Sequence, residues 1–201
     1  MAPRVVIFDL GKVLVDFDYS HAGRRIAARG HTSPEAVRSF IDHSPLLIRY
    51  ESGKMTTAEF YAAVVAATGF DGSMEEFAEF FADIFIPIPG MVELHAELRR
   101  KGLPAYILSN TNELAVGHIR RQFPFYANFD GYVLSYEVGA MKPHPEIYEA
   151  AERMTGRRGA ELVFIDDRPE NIATAAARGW QVILQETPEK TREQVARLGL
   201  L

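Results

Sequence analysis

Val5-Val6-Ile7-Phe8-Asp9-Leu10-Gly11-Lys12-Val13 opens with four apolar residues in a row and stops on an aspartate. All four are β-branched or aromatic, and the run has no polar alternation. Such a run reads as a strand buried on both faces, which is the habit of parallel sheets covered by helices. Ala105-Tyr106-Ile107-Leu108, Leu162-Val163-Phe164-Ile165 and Gln181-Val182-Ile183-Leu184 repeat the pattern, and Tyr132-Val133-Leu134 is a weaker fifth strand. Helical patterns separate most of these runs. Strand–helix alternation with buried strands predicts an α/β fold with a doubly wound parallel sheet.

Residues 15–86 break the alternation. No strand is expected there, and several helix starts are. Ser33-Pro34 reads as an N-cap followed by proline at the first helical position. Thr56-x-x-Glu59 and Ser73-x-x-Glu76 are capping boxes. After the second, Phe77, Phe80, Phe81, Ile84 and Phe85 recur at helical spacing. Burying such side chains stabilises by roughly 1.5–3 kcal/mol each, so that helix needs a partner. The expected organisation is a core of residues 1–14 and 87–201 and a helical cap of residues 15–86. Pro87-Ile88-Pro89-Gly90 marks the return, and Met91 to Lys101 reads as a helix. Exposed faces of the Phe-rich helix leave both a monomer and a homodimer open.

The 201 residues allow one sizeable domain, or a core with a smaller unit. A formal net charge of −5 argues against general attraction to nucleic acid or to an anionic membrane. The chain has no cysteine, which excludes disulfides, thiolate metal sites and cysteine nucleophiles. The first apolar run is too short, and too soon charged, for a signal peptide. No stretch is long and apolar enough to span a bilayer. A cytoplasmic protein is the expectation.

Chemistry gathers where the strands end. Ligands of open α/β sheets bind outside the carboxyl ends of the strands. There lie Asp9 to Val13, Ser109-Asn110-Thr111-Asn112, and Asp166-Asp167-Arg168-Pro169-Glu170-Asn171, with Lys142 between the last two. Taken singly, each has an ordinary reading. Asp9, Ser109 and Asn110 can form turns, Lys142 can lie on the surface, and Asp167 can cap a helix starting near Pro169. Adjacent carboxylates at one strand end usually need a cation or a proton. Magnesium suits them, because it takes oxygen ligands and commonly one or two carboxylates. A hydroxyl and backbone N–H groups opening a helix form an anion site, and a lysine beside them offsets repulsion. The six histidines, at positions 21, 31, 43, 95, 118 and 144, show no metal-ligand spacing, and His144 is read as a surface residue near Lys142.

In this order the segments resemble the haloacid dehalogenase-like hydrolase superfamily. Phe8-Asp9-Leu10-Gly11-Lys12-Val13-Leu14, Leu108-Ser109-Asn110, Lys142-Pro143-x-Pro145-x-x-Tyr148 and Phe164-Ile165-Asp166-Asp167 with Asn171 resemble its four motifs. The resemblance implies a Rossmann-like core with a helical cap inserted after the first motif. It implies a phosphatase in which Asp9 attacks phosphorus and forms an aspartyl-phosphate. Asp9, the Gly11 carbonyl, Asp166 and Asp167 would hold Mg2+, while Ser109, the Asn110 backbone and Lys142 would hold the phosphoryl group. The substrate class implied is a small phosphorylated metabolite, and a sugar phosphate by subgroup, since one sugar-phosphate phosphatase subgroup also has Asp-Leu-Gly in motif one.

One departure stands out. Phosphatases of the superfamily usually carry a second aspartate two residues after the nucleophile, as general acid and base, and here that position is Gly11. Such help is typically worth 10²–10⁴-fold. Asp16 is the expected substitute, and Tyr19, Arg24 and Arg25 are expected specificity residues. Two other readings remain: a 2-haloacid dehalogenase, which also lacks the second aspartate but needs no magnesium, and a non-catalytic module that binds a phosphorylated ligand.

Overall fold

The computed structural model describes residues 3–42 and 44–201; His43 lies outside the described residues. Five parallel strands form one sheet: β1 (Val5–Phe8), β4 (Ala105–Ser109), β5 (Gly131–Leu134), β6 (Leu162–Asp166) and β7 (Gln181–Leu184). Their order is β5-β4-β1-β6-β7, so β1 lies between the two strands that end in Ser109 and Asp166. Phe8 pairs with Ile107 on one side and with Ile165 on the other, which brings all three strand ends to one level.

Every side chain of β1 is buried, and successive ones serve opposite faces of the sheet. Val6 and Phe8 pack with Met91, Leu94 and Leu98 of α6 (Pro89–Arg100) and with Val195 of α11 (Pro188–Arg197). Val5 and Ile7 pack on the other face with Ile147 and Tyr148 of α9 (Pro145–Thr155) and Ala175 of α10 (Pro169–Ala177). This is the doubly wound α/β sheet that the apolar runs predict.

Five helices occupy the span between β1 and α6: α1 (Tyr19–Ala27), α2 (Pro34–Ile41), α3 (Pro45–Glu51), α4 (Thr57–Thr68) and α5 (Met74–Ala82). Both predicted capping boxes are formed, at Thr56 and at Ser73. Phe60, Phe77 and Phe81 join Tyr50 in a separate apolar cluster, with Tyr50 and Phe60 stacked at 4.5 Å. The aromatic face of α5 is therefore consumed inside the chain, where Phe77 is 0% and Phe81 1% exposed.

Two expectations are corrected here. Residues 15–86 do contain strands: β2 (Val15–Phe17) pairs antiparallel with β3 (Phe85–Pro87) at the two crossings between sheet and helices. The Phe-rich helix also ends earlier than its spacing suggests. Asp83 is its C-cap, so Ile84 and Phe85 lie beyond it, and Phe85 pairs with Phe17. Three-residue strands are too short for a periodicity to register, and one of these contains a proline.

Candidate active site

The loop after β1 is bent sharply. Lys12 is left-handed at φ 59°, and the Leu10 carbonyl accepts from both Leu14 N–H (2.9 Å) and Val15 N–H (3.0 Å). Asp9 leaves the strand with its backbone N–H on the Ile165 carbonyl at 2.9 Å, and its Oδ1 accepts from Leu10 N–H at 2.7 Å. Lys142 Nζ lies 2.8 Å from Asp9 Oδ1 and 2.6 Å from Asp166 Oδ2, with the three side chains almost wholly buried. Asn171 Nδ2 donates to both oxygens of Asp166, at 2.9 and 3.1 Å, and Arg168 N–H donates to Oδ1 at 2.8 Å. Tyr148 OH in turn donates to the Asn171 carbonyl at 3.0 Å. Oxygens of Asp9, Asp166 and Asp167 all come within 4.8 Å of one another.

Two details of this wall go beyond the sequence reading. Asn110 acts through its side chain: Nδ2 donates to the Lys142 carbonyl (2.9 Å) and Oδ1 accepts from Lys142 N–H (2.7 Å), which clamps the lysine backbone. Asp167 does not cap the following helix, whose N-cap is Arg168 and has no side-chain cap bond. Ser109 stands at the end of β4, 2% exposed, with its hydroxyl directed to the Asn110 carbonyl at 3.3 Å.

Three carboxylates here face one ammonium. Burial works against the charge on Lys142, but Asp9 and Asp166 outweigh it and hold the lysine pKa above its ordinary value. Burial, helped by the charges of Asp166 and Asp167, pushes Asp9 up to about 7 against the pull of Lys142. Asp167 is also raised, by burial and then by Asp166. A cluster of oxygen donors short of positive charge fits a hard divalent cation such as Mg2+.

The cluster forms one wall of a cavity of about 980 Å³, with Gly11, Asn110, His144 and Asn171 on the same side. The other wall comes from the helical part: Tyr19, Arg38, Asp42, Leu47, Ile48 and Glu51. Of the expected specificity residues only Tyr19 lines the cavity. Arg25 is bound to Glu79 and Asp83 on α5 and lies over the Phe80 ring, and Arg24 bonds Ser20 and His21. Their helical position made them look available, but α5 takes one and α1 the other.

Asp16 also lines the cavity, but as a solvated rim residue. It is ion-paired with Lys12 and accepts from Phe17 N–H at 2.8 Å. The hydrogen bond from Lys12 lowers its pKa, which is the wrong direction for a proton donor. Gly11 has a steric reason. A Cβ built there would lie 2.8 Å from Cε1 of Phe17, whose ring is wedged against Tyr19 and Phe85. The space for a side chain at position 11 is already filled.

Glu51 is the polar group that sequence reading passed over. It ends α3, lines the cavity, and is pushed up to about 7, by burial first and then by Asp9 and Asp42 against the Asn112 amide. Nothing local in Arg49-Tyr50-Glu51-Ser52 marks it; only the approach of α3 to the strand ends does.

The sequence pattern of the haloacid dehalogenase-like hydrolases matches residues 3–179. The D-ribitol-5-phosphate phosphatase of Bacteroides thetaiotaomicron is 24% identical over 196 residues, covering 94% of this chain and 95% of the relative. The sesquiterpene phosphatase of Aspergillus oryzae is 29% identical over 134 residues, covering 65% and 67%. A haloacid dehalogenase family enzyme from Bacteroides thetaiotaomicron, solved with magnesium and inorganic phosphate, superposes with a TM-score of 0.81 at 25% identity, covering 92% of this chain and 94% of that one. L-2-haloacid dehalogenase from Xanthobacter autotrophicus is less similar, with a TM-score of 0.66 at 20% identity over 97% of this chain and 81% of that one. With the four motifs in order and the family pattern spanning most of its length, the chain belongs to the haloacid dehalogenase-like hydrolase family.

Proposed function

We propose that the protein is a magnesium-dependent phosphatase of a small phosphomonoester, acting through an aspartyl-phosphate on Asp9. The observation that carries this reading is the shared lysine: Lys142 Nζ bonds Asp9 and Asp166 at once, with Asp167 beside them. The lysine keeps Asp9 turned toward the cavity and supplies positive charge where phosphoryl oxygens would gather. Asp9, Asp166 and Asp167, with the Gly11 carbonyl, are the ligands we assign to Mg2+. When bound, the ion would neutralise phosphate charge and favour the ionised form of Asp9. Ser109, the Asn110 backbone and Lys142 hold the phosphoryl oxygens, and the Asn110 side chain holds Lys142. Residues 15–86 act as the cap, excluding water and facing the leaving group.

Tyr19, Arg38, Asp42 and Glu51 make the cap wall polar, which suits an alcohol rich in hydroxyls. A polyol or sugar phosphate is therefore the favoured substrate class, in keeping with the relative that acts on D-ribitol 5-phosphate. A screen of small phosphoesters for phosphate release, with and without Mg2+, tests the assignment. Turnover should require the metal and vanish in Asp9→Asn. Chloride release from a 2-haloacid without metal, in the absence of any phosphate release, would establish the dehalogenase reading instead. Retained ligand binding with no turnover in the native protein would establish a binding module.

A further inference from the structure

We propose that Glu51, carried by the helical part of the chain, is the proton donor to the leaving-group oxygen, in the role left vacant at Gly11. This deepens the phosphatase reading and rests on it.

The loop after β1 cannot house the group. Phe17 fills the space beside Gly11, and Lys12 holds Asp16 as a solvated anion. Glu51 approaches the same cavity from the opposite wall, so a phosphomonoester seated on Asp9 and Lys142 would turn its alcohol toward it. Its position is firmly set. Ser135 Oγ lies 2.6 Å from the Glu51 carbonyl and 2.9 Å from the Thr111 N–H, joining the end of α3 to the loop after β4. Just beyond, Gly53 is left-handed at φ 69°, and a Cβ there would run into the Tyr136 carbonyl. Thr57 Oγ1 donates to Glu113 Oε2 of α7 (Glu113–Gln122) at 2.5 Å.

The surroundings favour a protonated carboxyl. Asp9 and Asp42 face it with negative charge, and the Tyr19 phenol, raised first by burial, is raised further by Glu51. Among the described residues no cation pairs with it: Lys142 is held by Asp9 and Asp166, and Arg38 pairs with Asp42. The group that eases its charge is the Asn112 amide, whose Nδ2 is buried and makes no hydrogen bond of ordinary geometry. A carboxyl pushed up to about 7 is half-protonated near neutral pH, where an acid that must later act as a base works best.

The chemistry balances. An Asp9 carboxylate oxygen bonds to phosphorus as the ester P–O bond breaks, and the departing oxygen takes the Glu51 proton to leave as an alcohol. The Glu51 carboxylate then takes a proton from water as that water attacks phosphorus. The P–O bond to Asp9 breaks, phosphate leaves, and both carboxyls return to their starting states.

The test compares phenyl phosphate, whose leaving group needs a proton, with p-nitrophenyl phosphate, whose leaving group hardly does. With Mg2+ present, Glu51→Gln should lower kcat/KM for phenyl phosphate by about 10²–10³-fold. The first-turnover burst of nitrophenolate should stay near the native level, followed by slow turnover and accumulated aspartyl-phosphate. The alkaline fall of kcat/KM for phenyl phosphate should be absent in the variant, and Glu51→Asp should recover part of the loss. Equal losses on both esters, or none on phenyl phosphate, would overturn the proposal while leaving the phosphatase reading intact. A native enzyme that turns over neither ester would sink both. A measurement independent of any variant uses substituted phenyl phosphates on the native enzyme. Dependence on leaving-group acidity should be shallow at pH 6 and steep above the alkaline limb; one slope throughout would exclude Glu51.

Discussion

The two walls of the cavity are built on opposite principles. In the sheet wall Asp9, Lys142 and Asp166 are committed to one another. Lys142 binds Asp9 and Asp166, Asn171 and Arg168 bind Asp166, and Asn110 grips the lysine backbone. In the helical wall Glu51 meets no cation among the described residues, and Arg38 pairs with Asp42 at the looser distance of 3.6 Å. A wall of mutually bound charges has one geometry, as holding a phosphoryl group requires. A wall with an uncommitted carboxyl can give up a proton and take it back.

The hardest blow to this contrast comes from removing the shared cation. Lys142→Gln should lower kcat by about 10²–10³-fold, the usual effect of losing a preorganised charge-stabilising donor. Asp9 and Asp166 would then face each other unpaired, and breaking a buried pair costs about 3–5 kcal/mol. The sign of its pH dependence follows from Asp9, whose folded pKa is raised to about 7 even with the lysine present. Removing the lysine raises it further, so the variant should recover stability as pH falls through neutrality toward 5. Urea unfolding at pH 5 and 8 checks this, and a stability deficit independent of pH would mean that the carboxylates are paired otherwise.

These two walls were unequally legible in the sequence. Asp9, Lys142, Asp166 and Asp167 stand where apolar strands give way to polar loops, and that change of character is local. The strands themselves also follow from local runs, since β1, β4, β6 and β7 are mostly apolar along their length, whereas their order in the sheet does not. Glu51 has no such marker, because a glutamate at the end of a helix is ordinary until another part of the chain folds over it. The β2–β3 ribbon was hidden by its three-residue strands. Arg24 and Arg25 looked available because nothing nearby in sequence foretells that α5 takes the second of them.

A smaller effect tests why the proton donor left the first wall. Gly11→Asp restores the aspartate usual at this position but drives its Cβ into Phe17. Overpacking of this kind costs about 1–3 kcal/mol, so the variant should be less stable and no faster on phenyl phosphate. Adding Phe17→Leu should return most of the lost stability in urea unfolding. A single Gly11→Asp variant that is as stable as the native protein would show that the ring yields easily, and that sterics do not explain the glycine.

The gentlest perturbation loosens the seam between the walls without touching either. Thr57 Oγ1 lies between Glu113 Oε2 at 2.5 Å and Tyr50 OH at 2.7 Å, so it ties α4 and α3 to the start of α7. Thr57→Val keeps the shape and removes both bonds, at a cost of about 0.5–1.5 kcal/mol. The sheet wall does not depend on this tie, so the nitrophenolate burst should be unchanged. Glu51 does depend on it, because Tyr50 precedes it on the same helix turn. Turnover of phenyl phosphate should therefore fall several-fold, with kcat affected more than KM. A loss spread evenly over both esters would mean that the seam supports the whole cavity, and the division of labour between its walls would have to be given up.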